Sequence, residues 1–362
     1  MNQYSNLKLQ ALAIGSLPHN DLTKAMNVVK KDFPQIPFFP QLKNINKNED
    51  MIIQFLEGLP SFLPSKLENF TIDSNSEEFF EDLETFFANY EEIMSDSNSK
   101  TLWNYGISKD FSSSFEEFEN IIKTTKPQFA KGQIIGPFTL ATTLQDNNGK
   151  AVIYDETLKD IIVKLLSLKA LWQIKRIKKA NPNTTPIIFM DEPSISQLGT
   201  SAYMTISKND VTQMIQEISD IIKANGGISA LHCCGKCDWS IPIKAKIELL
   251  NPDAYTFAEN FSIYYKMIEN LLQSGGKIVW GIIPTLDVEA LENTSLDILI
   301  EKFNQAIKYL TNKGIDEKLI IDNSLITSSC GVGSLSIENA ERAMDLVSEL
   351  SKELRARYRF DC

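Results

Sequence analysis

Apolar residues fall into short, near-continuous runs separated by longer stretches in which they recur every three or four positions. Residues 7–14 alternate and then run apolar into Gly15-Ser16-Leu17-Pro18-His19, the pattern of a buried strand ending in a turn, with His19 in the loop. Helical spacing follows over residues 21–33 and a short second strand over 36–42. A helix over 49–56 is stopped by the breaker Gly58-Leu59-Pro60. Between about Pro60 and Lys126 the text becomes acidic and Phe-rich, as in Ser76-Glu77-Glu78-Phe79-Phe80-Glu81-Asp82-Leu83, and reads as an inserted helical excursion.

Beyond Pro127 the alternation is regular. Strands are expected over 128–135, 186–190, 228–234, 254–257, 277–283 and 319–321. Helices are expected over 156–179, 208–224, 263–273, 296–312 and 337–357. Near-continuous apolar strands joined by helical crossovers imply a parallel sheet covered by helices. Eight such units suit an α/β fold of the (β/α)₈ TIM-barrel kind, a single domain over 1–362 with a helical insertion at about 60–126 after the second βα unit. A doubly wound open sheet is the alternative, but no Gly-x-Gly-x-x-Gly follows the first strand to support its dinucleotide-binding form.

Composition narrows the function classes. The chain has 362 residues, 43% of them hydrophobic, enough for one large barrel or two smaller domains. A formal charge of −11 and the lack of a basic cluster exclude a nucleic-acid footprint. No apolar run approaches membrane-spanning length and no basic leader opens the chain, so a soluble cytoplasmic protein is expected. Five cysteines, three of them within five positions, do not form the spread framework of a secreted disulfide protein.

The candidate chemistry gathers at the carboxyl ends of the expected strands, where a barrel places its active site. Ser16 follows the first strand, Asp191-Glu192-Pro193 the fourth, His232 and Cys234 end the fifth, and Glu259 follows the sixth. Pro284-Thr285 follows the seventh, and Ser328-Ser329-Cys330-Gly331 the eighth. His232 and Cys234 are two apart and share one strand face, while Cys233 points the other way. With Cys330 they offer one nitrogen and two thiolates, a donor set for catalytic zinc with a position left open. A substrate thiol entering that position would be ionised, and Glu259 is a candidate fourth ligand that such a thiol would displace. Asp191 and Glu192 are placed to hold a substrate cation or to act as acid–base groups, and Ser16 to hydrogen-bond a substrate carboxylate. The competing readings are buried free cysteines beside a core histidine, a structural zinc on Cys234 and Cys237, and a helix cap at Asp191-Glu192.

The chain resembles the catalytic domain of cobalamin-independent methionine synthase, within the barrel superfamily shared with uroporphyrinogen decarboxylase and corrinoid-linked methyltransferases. The carrying segments are Ile14-Gly15-Ser16-Leu17-Pro18, Ile135-Gly136-Pro137-Phe138-Thr139, Met190-Asp191-Glu192-Pro193, His232-Cys233-Cys234-Gly235, Trp280-Gly281-Ile282-Ile283-Pro284-Thr285 and Cys330-Gly331-Val332-Gly333-Ser334-Leu335. The resemblance implies a barrel holding Zn²⁺ through His232, Cys234 and Cys330, and a thiol activated for methylation. It also implies that Ser16 and Asp191 hold the amino-acid part of a homocysteine-like substrate. Residues 41–47 lack the acid that the family pattern places upstream of Asp50-Met51. The family's second, folate-using barrel is also missing, which makes methylcobalamin, or a corrinoid protein carrying it, the more attractive methyl donor, with a folate-type donor as the other. A zinc- or corrinoid-binding accessory protein without turnover, and a decarboxylase or lyase of the same superfamily, are the alternatives to a methyltransferase of methionine biosynthesis.

Overall fold

A computed structural model describes residues 6–62 and 71–360; part of the expected helical excursion, residues 63–70, lies outside the described residues. The centre is a curled, all-parallel sheet of six strands in sequential order, a half-barrel flanked by helices. Its strands are β1 (Phe129–Ile135), β2 (Thr185–Asp191), β3 (Ile228–Cys233), β4 (Leu249–Pro252), β5 (Lys277–Ile283) and β6 (Ser324–Ser328).

Among the described residues six regular strands stand where eight were expected, because residues 7–14 and 36–42 do not build ladders. Leu9 has φ +54°, a left-handed conformation foreign to a strand. The second segment carries Pro37 and Pro40, which have no N–H to donate. Both segments nevertheless lie between β6 and β1. Single parallel bridges join Ala11 to Ile326, Ser16 to Gln41, and Phe38 to Lys131.

Two further expectations are corrected. The text at 254–257 is the start of helix α8 (Ala254–Ser262), not a strand, because Asp253 caps it by accepting the Thr256 N–H at 3.0 Å. Asp316 likewise caps a helix α12 (Glu317–Asp322) over the text expected as the last strand, and β6 begins two residues beyond it. The expected helix at 49–56 is two short 3₁₀ turns, Lys47–Glu49 and Ile53–Phe55.

The other helices are α1 (Leu22–Asp32), α2 (Glu77–Ser95), α3 (Phe115–Thr125), α4 (Pro137–Thr143), α5 (Glu156–Ala180), α6 (Lys208–Ala224) and α7 (Ser240–Lys244). They continue as α9 (Tyr265–Gln273), α10 (Val288–Asn293), α11 (Leu296–Thr311) and α13 (Ile337–Arg357). Helices α2 and α3 occupy the acidic, Phe-rich stretch. Their buried Phe79, Phe86, Phe115 and Phe118 explain why that text is both acidic and aromatic: these four rings face the core and most of the acids face water, while Glu119 is buried against Arg176 and Phe80 is exposed.

Inside the curl, Phe129, Ile187, Phe189, Ile228, Ala230, Leu249, Val279 and Leu325 form one apolar cluster with Leu7, Leu12 and Ile36. Side chains on a strand alternate faces. The next residues on the same face are therefore Asp191, His232, Asn251, Gly281 and Thr327. The interior turns from apolar to polar within one layer, at the carboxyl ends of the strands.

Candidate metal centre

Strand register assembles the polar layer. Asp191 pairs with His232, and His232 with Asn251, so three side chains stand abreast on β2, β3 and β4. One step further along, Asp253 bridges Gly281, and Gly281 pairs with Thr327. A side chain at Gly281 has no room, since its Cβ would lie 2.7 Å from the Pro252 carbonyl oxygen.

The sulfurs of Cys234 and Cys330 and a ring nitrogen of His232 lie within 4.8 Å of one another. A tetrahedral zinc, with sulfurs at about 2.3 Å and nitrogen at about 2.0 Å, spaces its ligands roughly 3.5–3.8 Å apart, so the three atoms need only draw together slightly to hold it. The imidazole is 3% exposed, and its Nδ1 lies 3.3 Å from the Asn251 carbonyl oxygen. That contact assigns the proton to Nδ1 and leaves a lone pair on Nε2, which is buried with no partner. A buried nitrogen lone pair without a donor is costly unless something fills the position. The donor chemistry and the orphaned Nε2 together fit a zinc ion.

The Cys330 thiol donates to Cys234 and, with His232, pulls the Cys234 thiol well below its ordinary range against the opposing effect of burial. Cys330, as the donor in that pair, is held protonated to higher pH. Burial lowers the affinity of His232 for a second proton, but Cys234 and Asp191 outweigh it and raise its pKa.

Of the other expected residues, Asp191 stands beside His232 with Oδ1 buried and unpartnered; burial raises its pKa while Lys131 and His232 oppose the rise. Ser16 is half-buried, and its Oγ accepts the Gly333 N–H at 3.3 Å. It packs so closely on the loop after Cys330 that a Cβ at Gly331 would fall 2.3 Å from its Oγ.

Glu192 does not join the cluster. Its carboxylate is fully buried at the start of α4, accepting N–H bonds from Phe138 at 2.8 Å and Thr139 at 2.9 Å and the Thr139 hydroxyl at 2.6 Å. Burial nonetheless raises its pKa to about 7. Glu259 is exposed on α8 and is not among the three clustered groups, because the helix that Asp253 caps carries it away from the strand ends. His19, expected in a loop, is fully buried, with Nε2 3.1 Å from Glu341. Cys237 and Cys233 are buried on the packing side of β3, each in contact with the other, and burial raises the Cys237 thiol pKa far above its ordinary value.

Several site residues escaped sequence reasoning. Asp253 is 1% exposed with Oδ2 unpartnered, and burial raises its pKa to about 6. Asn251 Oδ1 and Thr327 Oγ1 are likewise buried and unpartnered. Lys131 and Gln133 lie on the inner face of β1. The Lys131 ammonium donates to the Ile14 carbonyl and, at 2.6 Å, to Gln133 Oε1, and sits 4.9 Å from the Phe189 ring centroid. Burial lowers its pKa to about 8. The available signal was two polar residues at period two inside an otherwise apolar strand. A surface groove of about 920 Å³ runs along the acidic start of α13 and contains none of these residues.

No protein-family model matches the chain, and no curated protein does. Among solved structures the chain is similar to a B12-independent methionine synthase from Shewanella sp. W3-18-1 in complex with selenomethionine, at 15% identity over 67% of each chain and a TM-score of 0.46. Among the described residues, no helix is long and apolar enough to cross a membrane.

Proposed function

We propose that this protein is a zinc-dependent methyltransferase acting on a small thiol of the homocysteine class, with His232 Nε2, Cys234 Sγ and Cys330 Sγ as the zinc ligands. The observation that carries the reading is the buried Nε2 of His232, which has no hydrogen-bond partner while Nδ1 is anchored on the Asn251 carbonyl, in an imidazole clustered with the sulfurs of Cys234 and Cys330. Residues 7–14 and 36–42 complete the sheet as the first two staves of a (β/α)₈ barrel, which their bridges to β6 and β1 support.

When bound, zinc supplies Lewis acidity that keeps a thiol ionised at neutral pH. The chain's own residues do the rest. Asn251 fixes the imidazole tautomer through its carbonyl. Asp191 accepts N–H bonds from the cationic part of the substrate with its free Oδ1. The Ser16 hydroxyl, whose oxygen already accepts from Gly333, keeps its proton to donate to a carboxylate. Lys131 holds Ile14 and so the turn that presents Ser16, while its charge offsets that of Asp191. Asp253, rather than Glu259, is the acid close enough to feel His232 and Cys234, and its unpartnered Oδ2 would be available to the metal or substrate. Glu192 is structural in this reading. The sulfur–carbon bond forms as the donor–methyl bond breaks, and the donor, a corrinoid or a folate-type carrier, leaves with the bonding electron pair.

The test is methyl transfer to homocysteine from methylcobalamin or a methylated folate, measured on zinc-loaded and zinc-stripped protein. Transfer that requires zinc supports the proposal. Zinc-loaded protein that transfers nothing to homocysteine or to simpler thiols from either donor would count decisively against it.

A further inference from the structure

Cys330 lies beyond the end of β6, in a loop followed by two glycines and outside the strand's own ladder. Its backbone is held largely from the segment that follows the neighbouring strand. The Thr285 hydroxyl, just past β5, accepts the Cys330 N–H at 3.0 Å and donates to the Cys330 carbonyl at 3.0 Å. The Thr285 N–H donates to Ser329 Oγ at 3.0 Å, and the two hydroxyl oxygens are 3.2 Å apart. Ser328 Oγ gives the Cys330 carbonyl a second donor at 2.7 Å. Proton accounting closes the network: Thr285 has one hydroxyl hydrogen, directed to the Cys330 carbonyl, so the Ser329 hydroxyl supplies the hydrogen shared with Thr285. Thr285, Ser328 and Ser329 are each at most 2% exposed, so water cannot replace these bonds.

Among the described residues, both peptide groups of Cys330 are therefore bonded by a single side chain from another element. A methyl in place of the hydroxyl would leave a buried N–H without an acceptor and remove one of two donors from the carbonyl. The loop would stay anchored through the Ser329 N–H on the Ile283 carbonyl at 2.8 Å and through Ser328, but the peptide groups of Cys330 would lose the side chain that fixes them both.

We propose that Thr285 is a positioning residue of the metal centre: its hydroxyl clamps both peptide groups of Cys330 and presets the sulfur for zinc. The inference rests on the zinc reading above, and it adds a determinant of affinity that touches no metal and no substrate.

The experiment compares wild type with Thr285→Val, which keeps the shape and loses the hydroxyl, and Thr285→Ser, which keeps the hydroxyl. Zinc affinity is measured by competition with a chromophoric chelator, and the sulfur-to-metal charge-transfer absorption is recorded after loading with cobalt(II). Circular dichroism reports the fold. Thr285→Val should bind zinc roughly 10- to 100-fold more weakly and lose charge-transfer intensity, as expected when an outer partner of a ligand is removed. Thr285→Ser should restore both. If Thr285→Val does not fold, Ser328→Ala replaces it as the test; removing one donor from the same carbonyl should give a smaller loss of affinity with the same spectral signature. Unchanged affinity and spectrum in the folded variants overturn the inference while leaving the zinc reading intact. A wild-type protein that binds neither zinc nor cobalt overturns the zinc reading, and the inference with it.

Discussion

Replacing Gly136 by alanine tests the packing behind the site. A Cβ there would lie 2.1 Å from Cγ and Cδ of Glu192 and 2.3 Å from its Oε1. No real contact is that short, so Glu192 must move. The carboxylate cannot move freely, because it accepts from Phe138 N–H, Thr139 N–H and the Thr139 hydroxyl, all buried. Overpacking in a dense interior costs about 1–3 kcal/mol, and each lost hydrogen bond to a charged group about 1.5–3 kcal/mol. With at least one bond broken, Gly136→Ala should lose about 4 kcal/mol of unfolding free energy, the sum of mid-range values for the two effects. The assay is urea unfolding of the zinc-free protein, followed by tryptophan fluorescence. The cause is isolated by repeating the substitution in a Glu192→Ala background, where the obstructing carboxylate is gone and the glycine substitution should become nearly neutral. A Gly136→Ala protein as stable as wild type would refute the reasoning, as would an equal loss in both backgrounds.

Other consequences are simpler to check. Gly331→Ala should push Ser16 off the loop that follows Cys330 and weaken zinc binding, as measured by chelator competition, because the new Cβ would fall 2.3 Å from Ser16 Oγ. Asp32, 5% exposed and facing Asp345, has its pKa raised from 3.8 to about 6, first by burial and then by Asp345, with Lys31 opposing. Because the folded state holds that proton more tightly than the unfolded chain, stability falls as pH rises from about 3.8 to about 6. Asp32→Asn should therefore melt higher than wild type at pH 7.5, with the advantage gone at pH 3.5; equal melting at pH 7.5 would contradict it. Stripping zinc with a chelator should lower the melting temperature, and restoring zinc to about 100 times its Kd should return about 2.7 kcal/mol; a melt indifferent to zinc would argue against a site formed only in the native fold.

Much of this arrangement was legible in the amino-acid pattern, and the failures have physical causes. Strand β5 and helices α6 and α13 stand at their expected bounds, because their apolar periods are uninterrupted and Ser207 and Ser336 mark the helix starts. The first two segments read as strands from hydrophobicity alone, yet two prolines and a left-handed Leu9 deny them ladders. At 254–257 and 319–321, capping aspartates outweighed the apolar text. The trio His232, Cys234 and Cys330 was visible because histidine and cysteine are scarce here and period two puts His232 and Cys234 on one face. Glu192 and Asp253 were not separable by type: both are acids at strand ends. Only tertiary contacts show that one is tied to the start of α4 and the other keeps a free oxygen. Asn251, Thr327 and Thr285 are ordinary residues whose importance comes from register and loop contacts that the chain's pattern does not display.

The most direct test of the account is the position of zinc in crystals of the wild-type protein, located by anomalous scattering at the zinc edge. The account predicts one zinc per chain bonded to His232 Nε2, Cys234 Sγ and Cys330 Sγ at about 2.0–2.3 Å. Zinc bound elsewhere, or crystals grown with zinc that show none between these three side chains, would contradict it.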